Sequence, residues 1–178
     1  MPPIPLRAYS AAAVTPSGAL LVHGGHDTTV ALGDLWEILV SGSWGTTPPT
    51  EFALAGSKPS ARSRHTLTPI DTARDAANTE LLLFGGTDGT TLVSGGEMLW
   101  SLLYTFSTSA PTPSAVAWEQ ESVGSEPWDS QISPRARHAA SYDAETCRLH
   151  IYGGATSPDA RNADIASDQW YLQLPCAP

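Results

Sequence analysis

Three times along the chain an apolar run ends in a pair of glycines. The phrases are Leu20-Leu-Val-His-Gly-Gly-His26, Leu81-Leu-Leu-Phe-Gly-Gly-Thr87 and Leu149-His-Ile-Tyr-Gly-Gly-Ala155. The pairs Gly24-Gly25, Gly85-Gly86 and Gly153-Gly154 are 61 and 68 residues apart. A repeat of that period, with loops of unequal length, means one structural unit copied three times and stacked on itself. Each run is short and bounded by turn residues, which suits a buried strand better than a helix. Gly and Pro number 15 each in 178 residues, so long helices are disfavoured throughout.

Aligning the glycine pairs brings other residues into register. Upstream stand Arg7-Ala-Tyr-Ser10, Arg62-Ser-Arg-His65 and Arg135-Ala-Arg-His138; downstream stand Asp34-Leu-Trp36, Met98-Leu-Trp100 and Asp168-Gln-Trp170. A further tryptophan follows in two units, Trp44 and Trp118, so five of the six tryptophans obey the pattern. Each unit reads as four short strands. The first carries the Arg motif (7–14, 62–68, 135–142) and the second ends in the glycines (19–24, 80–85, 148–153). The third holds the tryptophan (34–40, 98–104, 168–174), and the fourth surrounds Trp44 or Trp118. Four antiparallel strands per unit make a propeller blade. The glycines would end a central strand where the chain turns sharply and blades crowd together, because glycine tolerates positive φ and close backbone approach. The tryptophans would each bury roughly 150–250 Å² between blades.

The order Arg-x-x-His, apolar-Gly-Gly, Asp-x-Trp resembles the kelch repeat over residues 6–174. The expectation is an all-β fold in one region, 1–178: a partial β-propeller of about three four-stranded blades at 6–48, 60–122 and 134–174. The third blade lacks its outer strand. Two departures stand out: Ser10 replaces the histidine of the other units, and Met98 replaces the acid two residues before tryptophan. Three blades cannot close a ring of the usual 4–8. Blade 1 and blade 3 should therefore each leave a face bare, and blade 3 an edge, to be covered by a second copy, another chain or a further part of a longer chain.

The net charge of −9 speaks against nucleic-acid and anionic-membrane partners, which require basic surfaces. No run approaches the roughly 18 apolar residues of a membrane helix, and prolines near the N-terminus interrupt any signal-peptide core. Cys147 and Cys176 lie far apart and no Asn-x-Ser/Thr sequon occurs, so free thiols in a reducing, cytoplasmic or nucleocytoplasmic setting are expected.

Candidate functional residues fall into three groups. His23, His26 and Asp27 could offer metal ligands, but a metal needs a third convergent ligand and an outer shell; no metal and no cofactor is expected. Arg62, Arg135, His65 and His138 recur as structural positions, the arginines bonding carbonyls or acids of a neighbouring blade. Arg64 and Arg137 are absent from unit one, and they suit forked contacts to carboxylate or phosphate. In kelch proteins the loops joining strands two and three carry partner contacts, which the resemblance carries onto Asp27, Asp88, Asp159 and Arg161. Asp88-Gly89 is equally an ordinary turn. Segments 105–117 and 119–134, rich in Ser, Thr, Pro and acids and including Thr112-Pro113, Trp128 and Ser133-Pro134, read as loops.

The expected function is a non-enzymatic scaffold that binds an acidic or phosphorylated protein segment. The alternatives are part of a larger enzyme or a fragment of a longer chain. Some kelch proteins are copper oxidases of the galactose oxidase type, and Tyr142, Cys147 and His150 match their ligand types. The predicted turn between Tyr142 and Cys147 places those two at the wrong end of the blade.

Overall fold

The computed structural model describes residues 4–39, 48–54, 56–70, 78–106, 114–121, 132–159 and 164–174. Eleven strands form three antiparallel sheets, each a meander in chain order. Blade 1 consists of β1 (Ala11–Val14), β2 (Ala19–His26), β3 (Ala31–Leu39) and β4 (Thr50–Glu51). Blade 2 consists of β5 (Thr66–Ile70), β6 (Asn78–Phe84), β7 (Leu99–Thr105) and β8 (Ala115–Gln120). Blade 3 has β9 (Ala139–Asp143), β10 (Arg148–Ala155) and β11 (Ile165–Gln173), and among the described residues no fourth strand. The first strands β1, β5 and β9 lie side by side, so the sheets fan outward as a partial propeller. No helix of the described residues is long and apolar enough to cross a membrane.

Period-two alternation sets the stacking. Leu81, Leu83, Trp100, Leu102 and Tyr104 on one face of blade 2 pack against Ala11, Ala13, Ala19, Leu21 and Leu35 of blade 1. Their neighbours Leu82, Phe84 and Leu99, on the opposite face, pack against Leu149, Ile151 and Leu172 of blade 3. Blade 2 is thus sandwiched and reads as near-continuous apolar sequence, whereas the central strand of blade 3 alternates polar and apolar residues.

The glycine pairs are bulges rather than strand ends in blades 1 and 3. The β2–β3 register slips between His23 and Gly25, and the β10–β11 register slips between Tyr152 and Gly154. Every glycine of the three pairs has positive φ. The reason lies in the next blade. The Gly25 amide donates to the Arg62 carbonyl, and the Gly86 amide donates to the Arg135 carbonyl, both at 2.9 Å. A Cβ on Gly85 would sit 2.5 Å from that Arg135 oxygen, whereas on Gly153 its nearest neighbour would be the Ala166 oxygen at 3.2 Å. The glycine pairs of blades 1 and 2 are therefore hinge pins to the next blade, and among the described residues the third pair meets no following blade.

Three expectations need correction. The Arg motifs precede the inner strands instead of lying within them, since β1, β5 and β9 begin at Ala11, Thr66 and Ala139. The fourth strand of blade 1 is Thr50–Glu51, and Trp44 lies outside the described residues. Finally, the two ends of the arc differ in chemistry. Blade 1 turns Val14, Leu20, Val22 and Ile38 outward, with Val14 57% exposed. Blade 3 presents no matching apolar face. Tyr152, His150 and Gln169 stand where blade 2 has Phe84, Leu82 and Leu99, and Arg148 and Gln173 complete a polar outer surface. There Arg148 bonds Gln173 at 3.0 Å and stacks 4.4 Å from the centre of the Tyr171 ring.

Candidate functional site

The five arginines that the repeat brings into register divide into two sets. The motif-opening residues are structural anchors. Arg7 forks onto both oxygens of Asp34 at 2.7 Å and also bonds the Gly24 carbonyl. Arg135 does the same with Asp168, at 2.7 and 3.0 Å, and with the Gly153 carbonyl. Arg62 bonds the Gly85 carbonyl and Glu97. These partners belong to the arginine's own blade, not to the neighbouring one, so that part of the sequence expectation is corrected. What reaches the neighbour is the arginine's backbone carbonyl. Glu97, one residue before Met98, explains how blade 2 manages without the acid of the other units.

Electrostatics follow from that geometry. The hydrogen bonds from Arg135 and Trp170 hold the Asp168 carboxyl at about 2. Burial pushes against ionisation of Asp34, yet the bonds from Arg7 and Trp36 still keep its carboxyl below the usual range. Burial lowers Arg62 to about 10, opposed by Glu97.

The second set lies two residues further on. Tyr9, Arg64 and Arg137 occupy equivalent positions at the mouth of the inner strands, and all are left-handed, with φ of 61°, 59° and 61°. For residues with a Cβ this conformation costs roughly 1 kcal/mol or more each. A backbone relay offsets that cost: the Arg64 amide donates to the Tyr9 carbonyl and the Arg137 amide donates to the Arg64 carbonyl, both at 2.9 Å. The relay brings the three residues together at the rim where the inner strands of the three blades adjoin. Arg64 stacks over the Tyr9 ring at 4.4 Å, which orders its guanidinium without neutralising it. Arg137 is exposed. Among the described residues neither cation meets a carboxylate, whereas all three anchor arginines do. Tyr9 was missed as part of this rim, although its alignment with Arg64 and Arg137 was already visible in the repeat.

The loop acids behave differently. One oxygen of Asp27 accepts from the Thr29 and Val30 amides and the Thr29 hydroxyl. Asp88 accepts the same set from Thr90 and Thr91, plus the Thr91 hydroxyl on its other oxygen. These bonds depress both carboxyls, Asp88 to about 2. Each closes its own turn. Asp159 is exposed, and Arg161 lies outside the described residues, as do Thr112-Pro113, Trp128 and Cys176.

Three histidines, His23, His65 and His138, are packed and buried. The His23 Nδ1 and His65 Nε2 atoms share a hydrogen bond at 3.0 Å across the blade 1–2 interface, with Trp118 against the His23 ring. His138 shares one with the Thr66 hydroxyl at 3.0 Å across the next interface. His26 instead bonds the Asp27 carbonyl, so His23 and His26 are committed to separate partners.

The oxidase-type residues do not converge either. Tyr142 pairs with Leu149 and His150 with Ser141, so Tyr142 and His150 point to opposite faces of blade 3. Cys147 is disulfide-bonded, which overturns the free-thiol expectation and removes the premise for a reducing compartment. An open groove of about 570 Å³ beside β4, with Phe52 and Leu54 against Glu51 and Lys58, brings no further titratable cluster together. No protein-family model matches this chain, and no curated protein matches it.

Proposed function

We propose that the chain is a kelch-type propeller segment that acts as a non-enzymatic binding scaffold. Its axial rim engages an acidic or phosphorylated segment of a protein partner through Arg64 and Arg137. The observation that carries this reading is the division among the arginines. Three are consumed by acids and carbonyls within their blades, while two are held by a strained backbone beside the adjoining inner strands with no counter-ion among the described residues. A guanidinium fixed by stacking loses little freedom on binding and forks readily onto carboxylate or phosphate. In a chain of net charge −9, such a local cationic rim also discriminates against general acid attraction. The buried disulfide-bonded Cys147 favours an oxidising setting over the cytoplasm.

Fluorescence anisotropy with two labelled probes tests the reading: a hexa-aspartate peptide and a phosphoserine peptide of mixed sequence. Binding of at least one should weaken with salt, and Arg64→Ala with Arg137→Ala should weaken it at least tenfold without changing the melting temperature by more than a few degrees. Equal binding by the double variant, or by neither protein, contradicts the proposal.

A further inference from the structure

The rim arginines and the buried histidines are neighbours in the chain. His65 directly follows Arg64 and His138 directly follows Arg137, while His23 leads into the Gly24-Gly25 pair. Each contact of the rim relay crosses a blade boundary beside one of these rings. Between blades 1 and 2, the Arg64 amide donates to the Tyr9 carbonyl, and the His23 and His65 rings share a hydrogen bond. Between blades 2 and 3, the Arg137 amide donates to the Arg64 carbonyl, and His138 shares a bond with the Thr66 hydroxyl. The left-handed backbone of Arg64 and Arg137 is therefore held only while both boundaries stay closed.

The closed boundaries offer nothing to a further proton. His23 Nε2, His65 Nδ1 and His138 Nδ1 are buried and have no hydrogen-bond partner among the described residues. The Trp118 ring packs against His23 and the Phe84 ring against His138, and neither supplies a carboxylate or a carbonyl. The charged groups acting on His23 are Arg62, Asp34, Arg7 and Lys58. Those on His65 are Arg62 and the other two histidines, and Arg135 acts on His138. Asp34 is the single acid in that set, and Arg7 already holds both its oxygens. A buried imidazolium without an acceptor is strongly unfavourable, so each ring takes a proton only when its boundary opens.

We infer that the rim is a proton-controlled clamp, in which charging of His23, His65 and His138 opens the two blade boundaries and releases the bound acidic segment. This rests on the rim being the binding site proposed above, and it names how that site is regulated. The segment binds the closed boundaries, where the relay is intact, and protons bind the open ones. Two ligands that favour opposite states of one equilibrium weaken each other reciprocally. Histidine places such a switch between pH 5 and 8, where no other unperturbed side chain titrates. The rest of each boundary is packed by residues that do not titrate, Leu21 and Leu81 on one side of blade 2, Leu82 and Ile151 on the other. The strands therefore survive when the rim opens.

The test titrates the whole chain with rhodamine-labelled hexa-aspartate and phosphoserine peptides at pH 7.5, 6.5 and 5.5 and constant ionic strength. Aspartate carboxylates stay charged across this range, whereas the phosphate titrates near 6, so every fall in affinity is read against a histidine variant. The parent chain should lose at least tenfold in affinity by pH 5.5 while far-UV circular dichroism keeps its strand signal. The triple variant His23→Phe, His65→Gln, His138→Gln should lose at least threefold less than the parent with the same peptide. If it does not fold, His138→Gln alone replaces it, and should retain at least three times more of its affinity at pH 5.5 than the parent does. Absence of binding by either peptide at pH 7.5 contradicts the rim reading, and this inference with it. Binding at pH 7.5 that stays constant to pH 5.5, falls equally in the variant, or falls in step with loss of the strand signal overturns the inference alone.

Discussion

Acidification from pH 7.5 to 5 should destabilise the fold far more than loss of its surface ion pairs would. His23, His65 and His138 are buried in blade interfaces, and burial is the first cause that lowers each of them: His23 to about 3, His138 to about 4, and His65 well below its ordinary value. Nearby cations act in the same direction, Arg62 on His23 and His65 and Arg135 on His138, while Asp34 alone opposes, at His23. The direction of the effect follows from linkage. A histidine neutral in the fold but ordinary when unfolded contributes nothing above its unfolded value near 6.5. Below that value the unfolded chain binds a proton that the fold refuses, so stability falls with pH.

Each such histidine costs about 2 kcal/mol by pH 5, so three amount to roughly 5–6 kcal/mol, comparable with the whole stability of many domains. Carboxylates such as Asp168 lose their contribution only below about 4, in a separate window. Urea unfolding at a series of pH values measures this. A flat midpoint between pH 7.5 and 5 would mean that the three rings are not buried neutral. Replacing His23 with phenylalanine, the residue at the equivalent position in blade 2, should reduce the slope by about one proton.

Arg62 carries the second large effect. Its side chain is fully buried at the blade 1–2 boundary and makes five hydrogen bonds, to the carbonyls of Ser60, Gly85 and Glu97, the Ser60 hydroxyl and the Glu97 carboxylate. Arg62→Ala removes the donor of the buried Gly85 carbonyl and of the part-buried Ser60 and Glu97 carbonyls, and loosens the backbone carbonyl that receives the Gly25 amide. A loss of about 2–4 kcal/mol is expected from orphaned acceptors and lost packing, since the Glu97 carboxylate left behind is 42% exposed and adds little. Arg62→Lys should recover less than half of it, because a single ammonium cannot span the forked sites. Thermal unfolding of the two variants beside Arg64→Ala, expected to melt close to the parent, checks the assignment of anchor and rim. Comparable losses at Arg62 and Arg64 would dissolve that distinction.

Much of this was legible in the sequence because each blade repeats its chemistry at a fixed offset. The glycine pair, the tryptophan and the opening arginine each mark a strand or bulge, so sheet number, strand order and the missing outer strand could be read directly. The arginine's true partners could not, since Glu97 falls one residue out of register and only the 3₁₀ turn at 95–98 brings it into place. The left-handed backbone at Tyr9, Arg64 and Arg137 left no mark in composition, because such a φ is usually signalled by glycine. Asp27 and Asp88 looked like contact residues until their own loops were seen to occupy them. The polar face of blade 3 was present all along in His150, Tyr152 and Gln169, but it carries meaning only against the blade 2 residues it replaces.

Hydrogen exchange of individual amides tests the open three-blade arc most directly. The amides of Trp170 and Leu172, turned toward β10, should be protected together with those of β6 and β10. Those of Gln169, Tyr171 and Gln173 should exchange at nearly the free rate, while their blade 2 counterparts Leu99, Ser101 and Leu103, covered by β8, stay slow. Protection of all five β11 amides in the isolated chain would contradict the account, because it would mean that blade 3 already has its fourth strand.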